Sequence, residues 1–199
     1  MRNSANLTLP PELLATLRDR YAEPHRHYHA IEHIEALLRW LDRYRTLAHE
    51  PALIDAAIWF HDAVYDTRRQ DNEQRSATMA AEALGALGWP VAAVERVGSL
   101  VLATQHHQAG VADRDAWLFL DLDLSVLGQS AAHYAAYASA VRAEYAWVEE
   151  RAYRSGRATV LQGFLAREQL YRTPVLHDAW EAAARRNLQS ELAALLPAG

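Results

Sequence analysis

Apolar residues recur at helical spacing along almost the whole chain, and this periodicity constrains the fold more than any other feature. One such stripe consists of His29, His33, Leu37, Leu41 and Tyr44, and it predicts a helix over about residues 27–44. Patterns typical of β-strands are nearly absent, and Gly and Pro are sparse and scattered. The sequence therefore predicts an all-α fold, with one helical bundle domain covering residues 1–199.

The ends of the other helices are predicted from proline, glycine and the residues that favour helix N-termini. We expect helices beginning near Pro11, Pro51, Asp71 and Pro90, a helix flanked by turns within residues 113–128, and helices over about 131–154, 157–170 and 178–195. The helix that begins near Asp71 is expected to stop at Gly88.

Composition excludes several classes of site and partner. The chain has no cysteine, so disulfides, thiolate metal ligands and a cysteine nucleophile are excluded. The net charge is −5 and no basic stripe is present, which disfavours nucleic acid as a partner. No run approaches the roughly 18 apolar residues of a membrane span, and the N-terminal stretch lacks a secretion signal. We therefore expect a cytoplasmic protein that does not bind membranes, and self-association into a homo-oligomer is left open.

Several of the ten histidines fall on apolar helix faces. His29 and His33 are four residues apart, so both are predicted to lie on one side of a helix. His61-Asp62 ends an apolar segment, with His61 on the inward face and Asp62 about 100° around the helix. A buried imidazole or carboxylate is costly unless it has a partner. Either a metal ion or a hydrogen-bonding group can be that partner, so these residues are candidate metal ligands.

Two further pairs stand in suggestive positions. Asp121 and Asp123 alternate with apolar residues, and we expect one of them to point into a polar pocket. His106 and His107 follow an apolar helix, where their side chains could face a cleft. Either pattern, taken alone, is also typical of an ordinary surface turn.

The order His, His-Asp, Asp in an all-helical chain resembles the HD superfamily of metal-dependent phosphohydrolases. Residues 28–33 resemble the Tyr-His-x-x-x-His stretch of the related cyclic-nucleotide phosphodiesterases, and residues 59–66 resemble the helix end that carries the His-Asp pair. More narrowly, the chain resembles a bacterial group of predicted HD phosphohydrolases of similar length. That resemblance runs through residues 21–29, 72–77, 104–107, 121–128, 142–145, 156–157 and 184–188. It implies an HD-type domain and a hydrolase, but no substrate.

Mapped onto this chain, the resemblance implies four metal ligands: His33, His61, Asp62 and Asp123. His29 is the alternative first ligand and otherwise the general acid, because the matching histidine of the phosphodiesterases donates a proton. Asp121 is the alternative last ligand. His106, His107 and Asp121 are candidates for a second metal or for phosphate contacts, although a clear acidic bridge beside the two histidines is lacking.

Such a nitrogen and oxygen ligand set suits a divalent ion such as Mn, Fe, Co, Ni, Zn or Mg. A divalent ion lowers the pKa of bound water and screens phosphate charge, as phosphate-ester hydrolysis requires. Arg26 is expected on the same helix face as His29, where it could contact phosphate. Glu73 is a candidate general base or orienter of a histidine ligand, or simply part of a helix N-terminus.

We therefore expect a phosphohydrolase acting on a small phosphate ester, with nucleotides as one candidate class. The alternatives are a metal- or nucleotide-binding module without turnover, and a di-iron oxygenase built on the same ligands.

Overall fold

A computed structural model of the protein describes residues 7–195. Within that range the regular secondary structure is entirely helical and contains no strand, which confirms the predicted all-α fold class. The first six and the last four residues lie outside the described range. The expectation of no secretion signal rests partly on those first six residues. No helix in the described range combines the length and apolar character needed to cross a membrane.

The chain divides into two compact units, Met1–Leu122 and Asp123–Gly199. The described part of the first unit carries six α-helices: α1 Pro11–Tyr21, α2 Ile31–Tyr44, α3 Pro51–Phe60, α4 Asn72–Ala86, α5 Val91–Ala103 and α6 Arg114–Asp123. A 3-10 helix, Arg45–Leu47, follows α2, and α6 ends on the first residue of the second unit. The single HD-type domain over residues 1–199 stays a prediction.

Helix α3 forms the centre of the first unit. It packs against α5 on one side and α2 on another, and the five residues at its C-terminal end, 56–60, are all buried. A helix that is apolar all round is expected to be buried in this way. Because α3 ends inside the core, the residues that immediately follow it, His61 and Asp62, are placed at the edge of that core.

Helices α4 and α5 are joined by a tight turn at Gly88. Gly88 has a φ of +73°, in the left-handed region that favours glycine. Its N–H donates to the carbonyl of Gly85, and the N–H of Trp89 donates to the carbonyl of Leu84. These bonds satisfy carbonyls that a helix end leaves unpaired, and they confirm the predicted stop at Gly88.

The second unit contains the 3-10 helix Leu124–Gly128 followed by α7 Ala131–Glu144, α8 Glu150–Leu165 and α9 Pro174–Leu195. The 3-10 helix packs closely on α9. A Cβ added at Gly128 would lie 2.5 Å from the Cβ of Trp180, so only glycine fits there. The guanidinium of Arg157 is buried and pairs with Glu191 at 2.8 Å, which joins α8 to α9.

The predicted start of α2 at His27 is wrong, because the helix begins at Ile31. Ala30 is extended, with φ −110° and ψ −178°, and cannot continue a helix backwards. The carbonyl of His29 is bonded by the side chain of Arg26 and not by a helical N–H. His29 therefore lies outside the helix that carries His33, and the predicted shared helix face does not exist.

The prediction of one helix over residues 131–154 is also wrong, since α7 ends at Glu144 and α8 begins at Glu150. The side chain of Arg142 bonds the carbonyls of Tyr145 and Val148, and the carboxylate of Glu149 caps the first N–H groups of α8. These side chains supply partners that a continuous helix would have supplied. The predicted 157–170 helix correspondingly lies too late in the chain, and α9 begins four residues before the predicted 178.

Candidate metal centre

Three predicted ligands meet where α3 ends beside the first turn of α2. His61 is the C-cap residue of α3, Asp62 follows it, and His33 is the third residue of α2. Each contributes one ligand atom, and all three atoms lie within 4.8 Å of one another. Both histidines are buried, while Asp62 is half-buried. We call these three residues the His-His-Asp cluster.

The spacing inside the cluster fits ligation of one ion. The Nε2 atoms of His33 and His61 are 3.3 Å apart, and His61 Nε2 is 3.0 Å from Asp62 Oδ2. Two ligand atoms that are each ~2.1 Å from a metal lie ~3.0 Å apart at a right angle and ~3.4 Å apart in a tetrahedron. The observed distances fall in that range, so the three residues fit a divalent metal site.

The backbone fixes which nitrogen of His61 faces the cluster. The Nδ1 atom lies 2.9 Å from the carbonyl oxygen of Ile58. A carbonyl only accepts, so Nδ1 carries the proton and donates. In the neutral ring the lone pair is then on Nε2, the atom that faces His33 and Asp62. A hydrogen bond of this kind on the outer nitrogen is typical of histidines that bind metals.

The loop that carries Asp62 is held on one side by the segment before α2. Arg26 donates from one terminal nitrogen to the carbonyl of Asp62 at 2.7 Å and from the other to the carbonyl of Ala63 at 3.3 Å. The ring of His25 donates to the carbonyl of Tyr65 at 2.8 Å. Residues 61–66 have no regular secondary structure, so these side chains replace the bonds that a helix would make.

The other side of the same loop is held by α4. Asn72 accepts from the N–H of Asp66 at 3.2 Å and donates back to its carbonyl at 2.9 Å. Ser76, one turn later, accepts from the N–H of Val64 at 3.0 Å. Reasoning from the sequence assigned no role to Asn72 or Ser76. The only signal was that both fall within residues 72–77, one of the stretches that carry the family resemblance.

Arg26 does not lie where the helical pattern predicted, because it precedes α2 and points into the protein. Its side chain is fully buried and its Nε donates to Glu23 at 3.0 Å. Its guanidinium also lies over the rings of Tyr21 and Tyr65. All three of its nitrogens donate to protein oxygens. The placement on a helix face with His29 is therefore wrong, and the donors that were expected to contact phosphate bind the protein itself.

His29 lies beside the cluster without belonging to it. Its ring stacks on that of Tyr65 at a centroid distance of 4.3 Å and lies 6.1 Å from the ring of His33. The side chain is half-buried. Of the two histidines considered for the first ligand, His33 is the one whose nitrogen joins His61 and Asp62. His29 is left as the candidate proton donor.

Glu73 is half-buried and lies in the first turn of α4. Its negative charge there interacts favourably with the helix dipole. His106 and His107 lie in the segment after α5, and His107 has a φ of +47°, which is unusual for a residue other than glycine. Within the described residues, none of the three belongs to the His-His-Asp cluster. Their proposed catalytic or second-metal roles stay predictions.

The two aspartates of α6 that are candidate ligands differ in burial. Asp121 is almost completely buried, whereas Asp123, the last residue of the helix, is half-buried. Phe119 of the same helix places its ring 5.8 Å from that of His61. Asp123 begins the second unit. The fourth ligand, Asp123 or alternatively Asp121, stays a prediction from the resemblance.

Comparison of the chain with protein-family models, with curated proteins and with solved structures found no match. Membership of the HD superfamily therefore stays a prediction from the sequence motifs. The structure brings His33 of α2 together with His61 and Asp62 at the end of α3. These three residues form one candidate metal site.

Proposed function

We propose that this protein is an HD-type metal-dependent phosphohydrolase that acts on a small phosphate ester. The observation that carries the proposal is the His-His-Asp cluster, with ligand atoms at metal-binding spacing and with His61 oriented through its outer nitrogen. The motifs around these residues, and not the fold alone, suggest the reaction, because an all-α fold hosts many activities.

His33, His61 and Asp62 would hold the ion, and Asp123 is the proposed fourth ligand. A bound divalent ion supplies an activated water and attracts phosphate oxygen. Together, two neutral imidazoles and two carboxylates would balance the charge of a divalent ion. Its remaining coordination positions would be open to water and to a phosphate oxygen.

Hydrolysis adds water across the ester P–O bond, and the departing alcohol oxygen needs a proton. His29 is the proposed donor. Its ring is half-buried, held against Tyr65, and close to His33 without contributing to the cluster. This position beside the cluster supports His29 as the donor to a phosphate ester bound there.

The test compares this site with a second His-Asp pair in the same chain. His177-Asp178 lies in the first turns of α9, and its side chains are 37% and 85% exposed. We would measure the metal content of purified wild-type, His61→Ala, Asp62→Ala and His177→Ala proteins by elemental analysis. Phosphate release would be measured on a panel of phosphomonoesters and phosphodiesters that includes nucleotides, after loading with each candidate metal.

We expect stoichiometric metal and metal-dependent phosphate release in the wild type and in His177→Ala. Both should be lost in His61→Ala and Asp62→Ala, with helix content by circular dichroism retained. Full turnover in His61→Ala would overturn the proposal. A metal-loaded wild type that retains a nucleotide but releases no phosphate across the panel would favour the binding module, and mixed-valence iron spectra would favour the oxygenase.

A further inference from the structure

The position of Asp62 depends on side chains that lie far from it in sequence. Each carbonyl in residues 62–66 accepts a side-chain hydrogen bond, from Arg26 twice and from Ser76, His25 and Asn72. The loop has no regular secondary structure. Among its carbonyls, that of Asp66 also accepts a backbone hydrogen bond, from the N–H of Arg69 at 3.0 Å. If the bonds change, the loop is free to move, and Asp62 moves with it.

Arg26 joins the two segments that flank the cluster. One of its terminal nitrogens donates both to the carbonyl of His29 at 3.0 Å and to the carbonyl of Asp62 at 2.7 Å. The same guanidinium reaches Ala63, and its flat faces rest near two tyrosine rings. A lysine keeps the charge but lacks the planar set of donors, so it cannot make all of these bonds.

Asn72 holds the far end of the loop through a pair of bonds. Its side-chain oxygen accepts from the N–H of Asp66, and its side-chain nitrogen donates to the carbonyl of the same residue. Because Asn72 is the first residue of α4, this pair ties the loop to a helix that packs against α3. The loop is thus fixed at both ends by residues that do not belong to the cluster.

We propose that Arg26 and Asn72 are positioning residues that set the affinity and ligand geometry of the His-His-Asp cluster for a divalent metal ion. The proposal rests on the metal site put forward above and goes beyond it. Neither residue belongs to the cluster that would hold the ion. Each acts through the backbone of residues 62–66, and Arg26 also fixes the backbone of His29.

The second unit offers a matched control for each residue. Arg185 donates from Nε to Glu181, and its terminal nitrogens bond the carbonyls of Leu165, Arg167 and Glu168. Arg26 makes the same pattern, one bond to a glutamate and three to carbonyls. Asn187, like Asn72, uses its side-chain nitrogen to bond backbone carbonyls, those of Leu127 and Gln129. None of these partners belongs to the cluster.

The experiment uses Co²⁺ alone as the probe, without substrate. The dissociation constant and the visible absorption spectrum of bound Co²⁺, which reports ligand number and arrangement, are measured for Arg26→Lys, Asn72→Ala, Arg185→Lys and Asn187→Ala. The thermal unfolding midpoint of each metal-free protein is measured in parallel. We expect Arg26→Lys and Asn72→Ala to weaken Co²⁺ binding by about 10- to 100-fold and to change the spectrum. The two controls should lower the unfolding midpoint without either effect.

Wild-type Co²⁺ affinity and spectrum in both Arg26→Lys and Asn72→Ala would overturn the proposal, as would equal losses in the controls. If Arg26→Lys does not fold, Asn72→Ala with Asn187→Ala decides the matter. The outcome is separable from the proposed function. A wild type that binds Co²⁺ but hydrolyses no ester contradicts the phosphohydrolase alone, whereas unchanged binding in the variants contradicts only the positioning role.

Discussion

The dipeptide His-Asp occurs twice in this chain, and its two copies lie in very different surroundings. In His61-Asp62, Nε2 and Oδ2 are 3.0 Å apart, and the side chains are 2% and 17% exposed. In His177-Asp178, Nδ1 and Oδ1 are 3.5 Å apart and both side chains reach solvent. Only the first pair is joined by another ligand, His33, within the described residues.

The difference shows what turns a common dipeptide into a candidate site. Burial makes the imidazole and carboxylate costly unless they have partners, the helix-end carbonyl of Ile58 orients the ring, and α2 supplies a third ligand atom. The pair in α9 contains the same two residue types, but its side chains keep their contact with water. Local sequence alone does not distinguish the two pairs.

The largest expected effect comes from removing the third ligand. His33→Ala leaves His61-Asp62 intact but takes away one of the three ligand atoms. We expect Co²⁺ affinity to fall by more than about 100-fold, beyond the range expected for a residue that only orients a ligand. Isothermal titration calorimetry of His33→Ala and His177→Ala provides the comparison. Wild-type affinity in His33→Ala would mean that the buried dipeptide alone suffices.

A smaller difference is expected in the stability of the metal-free protein. His61→Ala removes a buried ring and its hydrogen bond to Ile58, so we expect a loss of about 2–3 kcal/mol in the free energy of unfolding. His177→Ala should change it by no more than about 0.5 kcal/mol, as is usual for surface positions. Urea unfolding monitored by circular dichroism measures both. Equal losses would show that burial does not separate the two pairs.

The smallest expected effect is on stability at acid pH and comes from an ion pair outside the cluster, Arg96–Asp113. Its contribution must be known before a loss of stability in acid can be attributed to loss of metal from His61-Asp62. Arg96 donates two short hydrogen bonds to Asp113, and these hold the pKa of Asp113 below its usual value. A folded-state pKa below the unfolded value of about 3.9 means that the stabilisation is present above that pH. It is lost as pH falls through the folded-state pKa.

We therefore expect Asp113→Asn to cost no more than about 1 kcal/mol at neutral pH, since the pair is partly solvated. The variant should also lose less stability than the wild type between pH 5 and about pH 3. Urea unfolding at these pH values provides the measurement. An acid dependence identical to that of the wild type would exclude the Arg96–Asp113 pair as its source.

Much of the fold could be predicted from local sequence patterns. The apolar stripe of α2, the prolines at the starts of α1 and α3, and Gly88 after α4 are all local signals, and the structure confirms the elements they predict. The errors fall where a distant or unusual side chain replaces helical hydrogen bonds. Arg26 bonds the carbonyl of His29, and Arg142 and Glu149 complete the ends of α7 and α8. Neither break contains a glycine or proline.

Three of the four residues predicted as metal ligands, His33, His61 and Asp62, meet in the structure. The side chains that hold their loop were not predicted. Helical register placed His33 and His61 on inward faces, and the two meet in the structure. Arg26 was predicted as a phosphate contact because its charge is visible in the sequence, whereas its burial is not. In the sequence, Asn72 and Ser76 resemble ordinary residues at the start of a helix. Their bonds to the loop were not predictable, because the backbone groups that they bond lie 6 and 12 residues earlier in the chain.

The hydrogen bonds to residues 61–66 also bear on how this loop moves. A loop with solvated carbonyls and N–H groups fluctuates residue by residue, while structure held by many shared bonds opens in cooperative units. Here the donors and acceptors come from the segment before α2 and from α4. Opening this loop therefore requires those segments to separate from it together. The loop of residues 61–66 is expected to move on the slow timescale of local unfolding, and not on the fast timescale of an ordinary surface loop.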